Sequence, residues 1–165
     1  MPQLPRRLIL LALACVALAV AGCGSDKETA ATPPPAPAST PAPTKPEITV
    51  PKGKAPKKLV VKDLKEGSGP VAENGKNVQV QYVGISFENG RQFDASWDRG
   101  EPFDFQLGAG QVIPGWDQGV AGMKVGGRRQ LVIPPELAYG KQGSPPAIGP
   151  NETLIFVIDL EKVQS

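Results

Sequence analysis

Across the C-terminal two thirds of the chain, apolar positions recur at every second residue. Val78, Val80 and Tyr82 fall on one side of Val78–Gly84, and Leu154, Phe156, Ile158 and Leu160 on one side of Thr153–Val163. Such alternation marks strands with one buried face. Leu59–Asp63, Glu101–Leu107 and Gly127–Ile133 predict three shorter strands. Asn89-Gly90, between Ile85–Glu88 and Arg91–Asp94, predicts a hairpin turn. Helical spacing is confined to Pro114–Met123, with proline in its first turn and Trp116, Val120 and Met123 on one side. About five antiparallel strands and one short helix make an α+β domain, the helix covering the apolar face of the sheet.

The N-terminal part is patterned otherwise. Arg6-Arg7 precede an apolar run of about 14 residues, Leu8–Ala21, too short for the roughly 20 residues of a spanning helix. With its small-residue exit it reads as a secretory signal peptide over residues 1–22. Val20-Ala21-Gly22-Cys23 resembles the lipobox of bacterial lipoproteins, which implies acylation of Cys23 and cleavage before it. A diacylglycerol there gives a firm tether, since one chain alone holds only marginally. The expected location is therefore extracytoplasmic, lipid-anchored to the bacterial cell membrane. Residues 23–56 are rich in Pro, Ala and Thr, with Pro-Pro-Pro at 33–35. With few apolar side chains to bury, they are expected to form a disordered linker of polyproline character. The globular domain is then expected over residues 57–165.

Composition narrows the function. A formal charge of +2, without any Lys/Arg cluster beyond a pair, gives no footprint for nucleic acid. The chain has no histidine, the commonest general base and metal ligand. Its two cysteines, Cys15 and Cys23, both precede the domain, which leaves the domain without a disulfide or a thiol nucleophile. Phosphate-loop, nucleophile-elbow, zinc-protease and dinucleotide signatures are all missing. The domain's aromatic residues instead sit at strand ends, turns and the helix, often beside Gly, Pro or Asp.

Seven blocks carry a resemblance: Tyr82-Val-Gly84, Gly90–Gly100, Pro102-Phe103, Gln111-Val-Ile-Pro-Gly-Trp116, Gly122–Gly126, Ile133–Gly140 and Thr153–Phe156. In this order, from about Val60 to Val163, they resemble the FKBP-type peptidyl-prolyl cis–trans isomerases. The resemblance implies a twisted antiparallel sheet wrapped over a short helix, with an apolar pocket between them. Trp116 would be the floor of that pocket, and Tyr82, Phe93, Phe103 and Phe156 its walls. Val112 would lie beside Ile113, whose backbone N–H would bind a peptide carbonyl, as would the Tyr139 hydroxyl. Asp94 would sit at the rim or in the wall, positioned by Tyr82 or Arg99. Arg99, Gln111, Ala147 and Ile148 would complete the substrate contacts, and Phe105 would belong to the core.

The implied chemistry needs neither cofactor nor metal. The implied partners are proline-containing unfolded or secreted polypeptides and macrolide inhibitors, with a lipid anchor into the membrane, no nucleic acid and a monomeric state. Better-known eukaryotic members carry His where Ser144 stands and a bulky aliphatic where Ala147 stands. Gln111 and Pro114 replace a frequent acid and a frequent base. These differences bear on substrate preference more than on activity. Two other readings fit the same residues: a proline-segment binding or chaperone module that turns over little, and a structural surface head.

Overall fold

Asn77–Ser86 (β2) forms the centre of a six-stranded antiparallel sheet. The other strands are β1 (Val60–Lys65), β3 (Gln92–Ala95), β4 (Phe103–Gln106), β5 (Arg128–Ile133) and β6 (Leu154–Gln164). Two short helices, α1 (Ser96–Arg99) and α2 (Pro114–Val120), and a 3-10 turn at Pro135–Leu137 complete the elements. The structure, a computed structural model, describes residues 44–164. The expected signal peptide, Cys15, the expected lipidation site Cys23 and the first part of the expected linker lie outside those residues. No helix among the described residues is long and apolar enough to cross a membrane.

The sheet order is β1-β5-β6-β2-β3, and β4 also pairs with β2. Tyr82 lies opposite Ile158 and Val80 opposite Leu160, so the two predicted apolar faces coincide. They bury Val78, Val80, Tyr82, Leu154, Phe156, Ile158 and Leu160 in one core beneath α2. Helix α2 lies close on β5 because it presents glycines there. A β-carbon at Gly119 would come within 2.6 Å of Leu131, and one at Gly115 within 2.4 Å of Ile133.

Strands β3 and β4 share one edge of β2, β4 beside Asn77–Val80 and β3 beside Val83–Ile85. Between them the amide of Tyr82 has no strand partner. Ser96, fully buried at the start of α1, accepts that N–H at 2.8 Å and donates its own hydroxyl to Gln81. An orphaned buried amide is costly, so this serine locks α1 onto β2.

The structure adds detail at three points. The sheet has six strands, because Gln92–Ala95 is a strand in its own right, followed by the one-turn helix α1. The Asn89-Gly90 hairpin exists, but as a wider loop. Phe87 donates its amide to Thr153 on the β6 side, while Ser86 donates to Arg91 and accepts from Gly90. The third concerns the stretch before Lys57, part of which packs on the domain. Residues 46, 48 and 50 are partly buried while 45, 47 and 49 are exposed, the alternation of an extended strap. Ile48 and Val50 pack on the outer face of the sheet, against the cluster of Val83, Ile85, Ala95, Val132 and Ile155. The proline content of the segment hides a short binary pattern whose apolar side chains have a surface to cover.

Candidate active site

On the inner face, the sheet and α2 enclose a cleft of about 580 Å³. Its floor is Trp116, 4% exposed, carried by the first turn of α2. Tyr82 meets this indole edge-to-face at 5.0 Å, Phe156 at 5.3 Å and Phe103 at 6.1 Å. Edge-to-face pairs add about 0.5–1.5 kcal/mol each beyond burial, so floor and walls hold one another in place. Phe105 stacks behind Phe103 at 5.7 Å and stays in the core, as expected.

The fourth wall depends on a glycine. Phe93 meets Phe156 edge-to-face at 5.5 Å. A β-carbon on Gly84 would lie 2.7 Å from Phe93 and 2.8 Å from Phe156. A bare backbone at this point of β2 is what lets the two rings close.

One corner is polar. Tyr82 donates its hydroxyl to Asp94, Arg99 donates to the other oxygen of Asp94, and a second Arg99 nitrogen donates to the Tyr82 hydroxyl at 2.9 Å. The guanidinium also lies 5.5 Å from the centre of the tyrosine ring. Burial, then the bond to Asp94, push the Tyr82 phenol up to about 12, with Arg99 opposing. The Arg99 guanidinium is raised in turn, first by its bond to Tyr82. The corner thus keeps a neutral phenol and a fixed charge pair beside the apolar walls.

The roof is the loop after the 3-10 turn. Tyr139 is 41% exposed, and its hydroxyl has no partner among the described residues. Burial, then the charge of Asp94, raise its phenol above the ordinary tyrosine value. Ser144 and Ile148 close a tight turn through two backbone bonds of 2.9 and 3.0 Å. Arg91 donates to the Ala147 carbonyl at 2.8 Å. At the opposite lip, Gln111 accepts the Gln106 amide at 2.9 Å, and Val112 and Ile113 lead into α2.

Of the residues expected at the site, the cleft brings together Tyr82, Phe93, Asp94, Phe103, Gln111, Val112, Ile113, Trp116, Tyr139, Ala147, Ile148 and Phe156. Arg99 is the exception. It stands behind Asp94 and Tyr82 and does not line the cleft. Ser144 does line it and was not among the expected site residues. Gly84 and Ser96 were also missed as site-builders. A glycine inside a strand pattern signals close approach; nothing local marks the serine. Among the described residues, no group of three or more His, Cys, Asp or Glu is placed to hold a metal.

This is an antiparallel sheet wrapped on a short helix, with an aromatic cleft between them and donors at its rim. The family model described as FKBP-type peptidyl-prolyl cis-trans isomerase matches residues 69–161, and the chain belongs to that family. It is similar to an FK506-binding protein of Streptomyces anulatus, 61% identical over 120 residues, covering 72% of this chain and 97% of the relative. That match is longer than residues 57–165, so it extends upstream of Lys57. A probable FK506-binding protein of Corynebacterium glutamicum is 52% identical over 116 residues, covering 70% of this chain and 96% of its own length. Among solved structures, the crystal structure of AtFKBP13 is similar, with TM-score 0.60 and 41% identity, covering 66% of this chain and 94% of that one.

Proposed function

We propose that this isomerase acts on X–Pro bonds of exported polypeptides, tethered to the outer side of a bacterial membrane through Cys23. The observation that carries the catalytic reading is the ring of Tyr82, Phe103 and Phe156 around Trp116. Rotating an amide costs about 18–20 kcal/mol because twisting breaks its resonance. The planar amide has the larger carbonyl dipole, and water favours it over the twisted state. In a dry aromatic cleft that preference disappears. Proline lies on Trp116 between Phe93, Phe103 and Phe156. The Ile113 N–H and the Tyr139 hydroxyl hold the flanking carbonyls, and Asp94 borders the twisting amide. No group needs to gain or lose a proton.

The export reading rests on the charged, apolar and small-residue segments ending at Cys23. Uncatalysed X–Pro isomerisation takes tens to hundreds of seconds, slow enough to limit folding after export. The same cleft is proposed to bind FK506-type macrolides, on the strength of the relatives' names and the shared aromatic floor. A protease-coupled assay on a proline tetrapeptide tests the catalytic reading, with FK506 as competitor. Acceleration that the macrolide suppresses supports it. A folded chain with neither property would reduce the cleft to a vestige.

A further inference from the structure

Helix α1 has two neighbouring charges that face different ways. Arg99 reaches the polar corner of the cleft, bonding Asp94 and Tyr82. Asp98 accepts instead from Lys45 of the strap and from Gln92 of β3 at 2.6 Å. Those two donors, Lys45 first, hold the Asp98 carboxyl below its usual range. The strap is fixed at three further points. Its Thr44 carbonyl accepts from Arg128, whose guanidinium is itself clamped on Asp159 at 2.6 and 2.9 Å. Ile48 and Val50 share a cluster with Ala95 and Trp97, the residues on either side of Ser96. The strap therefore grips the outer side of the β3–α1 segment whose inner side forms the cleft.

We propose that residues 44–50 are a positioning element of the isomerase, holding β3 and α1 so that Phe93 and Asp94 stand at the cleft wall and rim with Arg99 braced behind them. The inference rests on the reading of that cleft as the catalytic site. Without the strap, α1 keeps Ser96 on β2, the Arg99 bonds to Asp94 and Tyr82, the Asp98 bond to Gln92 and its one turn of backbone. A four-residue helix has no stability of its own. Its order comes from what packs on both sides. The strap also covers an outer sheet face that would otherwise present Val83, Ile85, Val132 and Ile155 to water.

The test uses the full chain. Ile48→Ser with Val50→Ser removes the apolar grip, Lys45→Ala removes the polar one, and Glu47→Ala, which points outward, serves as control. Hydrogen exchange at amides 92–99 and kcat/KM on a proline tetrapeptide are measured well below each variant's thermal midpoint, with Arg99→Ala as reference for the cleft. The expected result is faster exchange at 92–99 and kcat/KM lowered about fivefold in both strap variants. That is well short of the hundredfold a full 1 Å misplacement can cost. Arg99→Ala should also lose activity, Glu47→Ala should match wild type, and Lys45→Arg should restore what Lys45→Ala loses. Wild-type kcat/KM in the Ile48/Val50 variant, with 92–99 exchanging faster, overturns the proposal. Loss of activity in the strap variants but not in Arg99→Ala overturns the route through α1. If Arg99→Ala is impaired while both strap variants are unaffected, the cleft reading stands and the strap is only a cover.

Discussion

Phe93 and Phe156 meet edge-to-face at 5.5 Å across the bare backbone of Gly84, so one wall of the cleft exists only because β2 lacks a side chain there. Gly84→Ala should push both rings off their contact. Overpacking of this kind costs about 1–3 kcal/mol, which lowers the thermal midpoint of a domain this size by several degrees. The isomerase rate should fall further than stability explains, because the displaced rings are the wall itself. A folded Gly84→Ala protein with wild-type kcat/KM would mean that the Phe93–Phe156 contact has no part in turnover.

The phenol of Tyr82 gives a pH signature. Its folded-state value, about 12, lies above the ordinary 10. A group raised in this way contributes stability that is complete below pH 10 and is lost as pH rises from there towards 12. Urea midpoints measured from pH 8 upward should therefore drop more steeply in wild type than in Tyr82→Phe. Near neutrality the neutral phenols of Tyr82 and Tyr139 do not titrate, and the chain has no histidine. Tetrapeptide kcat/KM should accordingly stay level from about pH 6 to about pH 9. A bell-shaped profile in that range would point to proton transfer and sink the desolvation mechanism.

The strands and both faces of the core were legible because alternation survives wherever a face is buried: Val80 and Leu160, or Tyr82 and Ile158, pair as the pattern requires. The aromatic cleft was legible only through the order of the family's blocks. Blind to that order, Trp116 and Phe156 read as ordinary core residues, and both are indeed buried. What stayed hidden depends on long-range partners. Ser96 matters because β3 and β4 leave a gap at Tyr82, and Ile48 and Val50 matter because the outer face of the sheet is apolar. Neither fact is local. A stretch of seven residues inside a Pro-rich linker shows too short an alternation to be noticed until the surface it covers is known.

Tyr139 stands apart from the buried ring, half-exposed, with its hydroxyl unpaired among the described residues. Tyr139→Phe should leave the thermal midpoint unchanged, since no internal bond is lost. Substrate binding should weaken by about 1 kcal/mol, the net worth of one neutral hydrogen bond. In steady-state terms KM rises about fivefold, by the same arithmetic, and kcat holds. An unchanged KM would show that the hydroxyl never reaches the peptide carbonyl.

The anchor is tested most directly at Cys23. The residue follows Val20-Ala21-Gly22 at the end of the apolar run, whereas Cys15 is preceded by only about seven apolar residues, short for a signal core. In cells, the wild-type protein should partition into the detergent phase and carry a blocked, acylated N-terminal cysteine by mass spectrometry. Cys23→Ala should lose both the lipid and the partitioning. Its isomerase activity should be intact, because Cys23 lies 21 residues upstream of Thr44, where the described strap begins. Two results would overturn the reading in different ways. A Cys23→Ala protein that still partitions with the membrane, its N-terminus uncleaved, would make Leu8–Ala21 a retained membrane segment. A wild-type protein cleaved before Cys23 but carrying no lipid would make it a freely secreted isomerase.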